Sequence, residues 1–171
     1  MKSNLSMKSL LQKYLIDSIS CIPQNNAYPI WHKTDIAGRV YWGVASFCGL
    51  DEYPISSEQD LSQLEWDGNE IYLDAYTEED IAEMLKKAIG ILLSWKDELG
   101  NKYSDTSFYI FASYDNGDML ALDEGETPIK SITMRFWADR GENTVINLSD
   151  FNRWDQPAIM EHIISNAPPK S

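Results

Sequence analysis

The run "TEEDIAEMLKKAIGILLSWKDELG", residues 77–100, constrains the fold more than any other part of the chain. Ile81, Met84, Leu85, Ala88, Ile89, Leu92 and Leu99 recur at helical spacing and form one apolar stripe. Thr77 stands where an N-cap belongs, with Asp80 three residues on. Glu78, Glu79 and Asp80 occupy the first turn, where the helix dipole favours anions, and Gly100 suits the position just past the end. Gly90 inside the helix costs about 1 kcal/mol relative to alanine, so it predicts a close approach by another segment. A helix with this stripe must bury it against a second layer.

The sequence after the helix predicts that layer. "SFYIFASY" (107–114) and "DMLALD" (118–123) read as strands joined by Asp115-Asn116-Gly117, a hairpin signal because these residues tolerate positive φ. "KSITMRFWA" (130–138) and "NTVINLS" (143–149), joined by "DRGE", read as a second hairpin. Before the long helix, "RVYWGVASF" (39–47) reads as a strand with a bulge at Gly43, and "NEIYLDAY" (69–76) as a short strand. Between them, "EYPISSEQDLSQLEWDG" reads as a polar loop with a short turn of helix. Leu10, Leu11, Tyr14, Leu15 and Ile19 predict an N-terminal helix over residues 5–20. Asp155 and Pro157 open a predicted last helix with Ile159, Met160, Ile163 and Ile164 on its apolar face. The order α, β, β, α, β, β, β, β, α predicts an α+β fold: one domain over residues 1–171, mainly antiparallel sheet, with helices packed on one face. The 171 residues, 43% of them hydrophobic, suffice for a core.

Charge narrows the function. The formal net charge is −13. Residues 1–50 carry +3, residues 51–126 carry −16 and residues 127–171 balance. A surface this acidic repels nucleic acid and anionic membranes and attracts basic proteins. One acidic stretch is "SYDNGDMLALDEGETPIKS" (113–131), with Asp115, Asp118, Asp123, Glu124 and Glu126 and no base before Lys130. Low cysteine use, an N-terminus whose apolar run is interrupted by Lys13 and Asp17, and no long apolar span predict an unprocessed cytoplasmic protein.

The carboxylates match no metal pattern. An EF-hand begun at Asp115 would need ligands at Gly117 and Met119, and one begun at Asp118 at Leu120 and Leu122. "DEGETP" reads as solvated turn, which is poor ground for a carboxyl with a raised pKa. His32 and His162 have no nucleophile or carboxylate at motif spacing, and both read as structural or surface residues. Cys48 precedes Asp51 and Glu52, which would raise rather than lower its pKa. No catalytic residue, metal or cofactor is therefore expected. Trp42, Trp95 and Trp137 read as core. Trp31, Trp66 and Trp154 lie beside polar residues and suit protein contacts, with the alternative that they cover the core rim. Glu65, Trp66, Asp67 and Glu70 in "EWDGNE", and Tyr114 beside Asp115 and Asp118, combine aromatics with acids in this way. Arg135 and Arg140 are expected to meet acids of the neighbouring strand at 118–126, across the sheet.

Size, acidity and the pattern "FYIFASYDNGD…ITMRFWADRGE…INLSDF" over residues 108–151 resemble the immunity proteins of bacterial contact-dependent inhibition and related polymorphic toxin systems. The resemblance implies binding and neutralising a cognate toxin domain, with no reaction catalysed. The expected contact face is Asp115, Asp118, Asp123, Glu124 and Glu126, with Tyr114, and Glu65, Trp66, Asp67 and Glu70 as a second patch. Two alternatives remain: a carboxylate-based metal-dependent hydrolase, and a structural oligomeric component with an acidic exterior.

Overall fold

Thr77 and Asp80 close a reciprocal capping box: the Thr77 side chain accepts from the Asp80 N–H and the Asp80 carboxylate accepts from the Thr77 N–H. In the computed structural model, which describes residues 1–17, 21–24, 28–44, 55–117, 129–141, 145–146 and 151–165, the helix that follows runs over Glu78–Lys102. It is the third helix, α3. It passes through Gly100 and ends at Tyr103, whose N–H returns to the Leu99 carbonyl. At Gly90 a Cβ would lie 2.6 Å from the Ile22 carbonyl oxygen, and the Gln24 N–H donates to the Gly90 carbonyl at 3.0 Å. The close approach predicted there is made by backbone of the 21–24 segment.

The other elements are β1 (Lys2–Ser3), α1 (Leu5–Lys13), β2 (Ile30–Thr34), β3 (Val40–Val44), α2 (Glu58–Gly68), β4 (Ile71–Ala75), β5 (Phe108–Asp115), β6 (Lys130–Ala138), a 3-10 turn at Phe151–Arg153 and β7 (Ala158–Ile163). Five strands form one antiparallel sheet in the order β1-β7-β5-β6-β4, and β2 and β3 pair separately. The fold is α+β, with helices packed against a mostly antiparallel sheet. Alternation along the strands builds two layers of side chains. Phe108, Ile110, Ala112 and Tyr114 of β5, with Ile132, Met134 and Phe136 of β6, join α1, α3, β2 and β3 in the main core. Phe111 and Trp137 face the other way, into a smaller aromatic cluster with Phe151 and Ala158. Among the described residues no helix is long and apolar enough to cross a membrane.

Four expectations need correction. The last helix is a strand. β7 pairs Ala158–Ile163 with Phe108–Ser113 of β5, because the outer edge of β5 must be paired and "AIMEHI" can supply it. Pro157 costs nothing just before that strand, and its carbonyl accepts from the Tyr114 N–H at 2.8 Å. The loop before β4 is largely helix: Ser57 and Asp60 form a second capping box and α2 continues to Gly68. Its two leucines, Leu61 and Leu64, are too few to show a stripe, and its buried residues include Ser62 and Glu65. The N-terminal helix stops at Lys13, with Asn4 as its cap and Met7 and Leu11 as its buried residues. Leu15 takes positive φ and is 92% exposed. The sequence neighbour that pairs with β5 is β6, along the whole of Phe108–Asp115. The strands expected at 118–123 and 143–149 lie outside the described residues, apart from Val145 and Ile146, which form a bend.

Gly43 does not bulge. It pairs in regular register with Trp31, and the Trp31 ring lies flat across it, held by an Nε1–H bond to the Val44 carbonyl at 2.9 Å. A Cβ on Gly43 would stand 2.3 Å from that ring. Gly43→Ala is therefore expected to lose ~1–3 kcal/mol through overpacking, read as a lower urea midpoint with unchanged m-value.

Candidate partner-binding surface

The second expected patch begins on α2, and the structure divides it. Glu65 is 0% exposed. Its two oxygens receive a bidentate pair of bonds from the Arg140 guanidinium, both at 2.7 Å. The same oxygens accept from the backbone N–H of Trp42 on β3 at 3.1 Å and of Ala138 on β6 at 2.7 Å. One turn on, the buried Asn69 amide donates to the carbonyls of Trp42 and Phe136 and accepts from the Val44 N–H. Glu65 is thus no part of an outward face: it and Asn69 bridge the two sheets. Its acidity in "EWDGNE" suggested a surface residue, and only the distant Arg140 reveals otherwise.

Glu70 is also spent internally. It pairs with Arg135, whose guanidinium lies 4.4 Å from the Trp66 ring centre. Trp66 is half-buried, edge-on to Trp137 at 5.0 Å. It covers core rim as well as facing solvent. Asp67 is exposed and accepts from the Gln63 amide across one helical turn. The aromatic row continues through Tyr109, stacked on Trp137 at 5.3 Å and on His162 at 4.2 Å. His162 lies on β7 rather than on a helix, and its Nε2 is 2.8 Å from Asp139. That contact was invisible while residues 158–163 read as helical.

Of the first patch, Asp118, Asp123, Glu124 and Glu126 lie outside the described residues. Asp115 is half-buried and its carboxylate accepts from the Gly117 N–H at 2.8 Å, fixing the turn with Gly117 at φ 80°. Tyr114 is buried, and loss of solvent pushes its hydroxyl up to about 12. Tyr114 is therefore not an exposed contact residue, whereas Asp115 keeps part of its surface exposed. Near them Glu78 accepts from Lys13, Lys130 and the Tyr14 hydroxyl, which together hold its carboxyl down at about 2.

The chain's cations are largely occupied in this manner. Lys13, Arg39, Lys86, Lys96, Lys102, Lys130, Arg135 and Arg140 each pair with a carboxylate. Asp67, Asp74, Glu79, Asp97, Asp105 and Asp155 are exposed and form no ion pair among the described residues. No group of three or more potential metal ligands occurs among the described residues. One open groove of about 940 Å³ lies beside β4, between the first half of α3 and the 15–24 segment. A second, about 710 Å³, lies beside β3 and the end of β6, and its arginines, Arg39 and Arg140, are already held by Asp35 and Glu65. No protein-family model, no curated protein and no solved structure matches this chain.

Two outcomes follow from this geometry. Glu65→Ala takes the bidentate carboxylate away from a buried guanidinium, which keeps its contact with Glu58, and leaves two strand N–H groups without partners, so it is expected to cost ~3–5 kcal/mol in urea denaturation. Tyr114 is held neutral by burial, so its contribution to stability is complete below its ordinary value of about 10 and is lost as pH rises towards about 12. A late step in the tyrosinate absorbance titration is expected, absent in Tyr114→Phe.

Proposed function

We propose that this chain is a cytoplasmic, non-catalytic protein of the immunity type, which binds and neutralises a basic toxin domain, a nuclease-like one being the best fit. One observation carries the reading. The chain's lysines and arginines are mostly consumed by internal ion pairs, so the excess of acids is left to the surface rather than neutralised within the fold. An enzyme that cuts nucleic acid needs a cationic cleft, and a polyanionic protein surface is complementary to it. The field of such a surface raises the encounter rate, and aromatic contacts such as Trp66 slow dissociation. The stretch 118–126 adds four acids and no base to the sequence.

The test is kinetic. The toxin domain, sought as the product of the adjacent gene, is passed over the immobilised chain at low and high salt. Reversing Asp123, Glu124 and Glu126 to lysine is expected to slow association ~10-fold or more at low salt and much less at high salt. Equal rates for the wild type and the triple variant under both conditions would remove the electrostatic basis of the proposal.

A further inference from the structure

Among the described residues, the five-stranded sheet has one free edge longer than two residues. Its order ends in β1 on one side, two residues long, and in β4 on the other, five residues long. The outward groups of β4 can be identified. The Asp139 N–H donates to the Ser107 carbonyl at 2.8 Å, so odd-numbered residues of β6 turn their backbone towards β5. The Ala138 N–H donates to Glu65 and the Phe136 carbonyl accepts from Asn69, so even-numbered residues turn the other way, towards β4. Ile71, Leu73 and Ala75, opposite Met134, Ile132 and Lys130, therefore exchange the bonds with β6. Tyr72 and Asp74 direct their N–H and C=O groups outward, and among the described residues nothing pairs with them. The strand has no proline, no lysine and an unbroken register, so its only charged side chain against pairing is Asp74.

The groove runs beside this edge. Ile16, Ile22 and Met84 give it apolar lining, and Ile22 is 80% exposed. On the other face of β4, Tyr72 and Tyr76 are 57% and 68% exposed and flank the unpaired Asp74. Asp17, Asp74, Asp80 and Glu83 outnumber Lys86 and Lys87 among the groove's charged lining residues. We propose that the outer edge of β4 receives an extended segment of the partner as a sixth strand, and that this segment alternates apolar residues, directed into the groove, with lysine or arginine directed at Tyr72, Asp74 and Tyr76. The inference rests on the reading of the chain as a binder of a basic protein. Charge selects that occupant over a second copy, because edge-to-edge pairing of two copies opposes two bodies of net charge −13 and brings each Asp74 towards the other. Backbone bonds supply the pairing, and the tyrosine faces and the carboxylate select the cationic side chains.

The probe is a short peptide of alternating lysine and valine, titrated into the full chain and followed by NMR amide exchange. Exchange at Tyr72 and Asp74 is expected to slow ~10-fold or more at saturation, with Ile71 and Leu73 little changed because they already bond to β6. Asp74→Pro removes an outward N–H without touching the β4–β6 bonds, and Asp74→Asn removes the charge alone. The proline variant is expected to bind the peptide ~10-fold more weakly than the asparagine variant. If the proline variant fails to fold, the wild-type exchange pattern decides. Absence of peptide binding, binding that leaves both amides unprotected, or equal losses in the two variants overturns strand addition. The same variants are then tried on the toxin domain. A toxin that binds the wild type and a folded Asp74→Pro variant equally well also overturns the β4 proposal while leaving the proposed function standing. A toxin that fails to bind the wild type removes the proposed function, whereas the peptide result still reports on the edge.

Discussion

The Glu65–Arg140 pair, with Asn69 one turn away, is the interaction on which the arrangement of the two sheets depends. β4 covers the edge of β6 only from Lys130 to Met134. Beyond that point the backbone groups of Phe136 and Ala138 would be left bare, and so would those of Trp42 and Val44 on β3. Two side chains of α2 serve both sets at once. Burying a carboxylate and a guanidinium costs several kcal/mol per ion, which their attraction offsets only when geometry is good and remaining valences are filled. Here both oxygens of Glu65 have a guanidinium donor and a backbone donor. The pair adds direction more than raw stability. An apolar replacement could fill the space but could not tell β3 and β6 where to stop.

That network also explains which parts of the fold were legible. α3 was plain because cap, dipole charges and stripe agree with one another, and the expected approach at Gly90 is there. β4, β5 and β6 were plain because their patterns are local. α2 was obscured because its inward residues include Ser62 and Glu65, which read as surface until Arg140, far along the chain, is placed beside them. β7 was obscured because "IMEHII" suits a helix as well as a strand, and only the vacant edge of β5 decides between them. The candidate site was least legible. Counting carboxylates does not show which ones an arginine has claimed, and Glu65 and Glu70 were among those claimed.

The same distinction sharpens the electrostatics. A net charge describes a chain, whereas a binding surface depends on charges left after internal pairing. Arg135 and Arg140 could have softened the acidic exterior had they been outward. Instead they are drawn in against Trp66 and Trp42, and the acids that hold them are withdrawn as well. The described surface exposes Asp67 and Asp105 near the ends of helices, Asp74 on the sheet edge and Asp97 on α3, alongside Lys2, Lys8, Lys33 and Lys87.

The lock and the free edge are two consequences of one choice. Had β4 extended further to pair with Phe136 and Ala138, its register would have needed Asn69 and Asp67, which form the tail of α2. Ending the strand early lets α2 close the far half of the β6 edge with side chains, which present no further backbone for pairing. The near half is closed by a short strand, and a strand necessarily shows a second edge. Among the described residues, the sheet thus leaves the backbone of Tyr72 and Asp74 unpaired, beside a groove and within an acidic surround. An acidic chain can leave such an edge open at little risk of joining its own copies, because the charge that invites a cationic partner is the charge that repels itself.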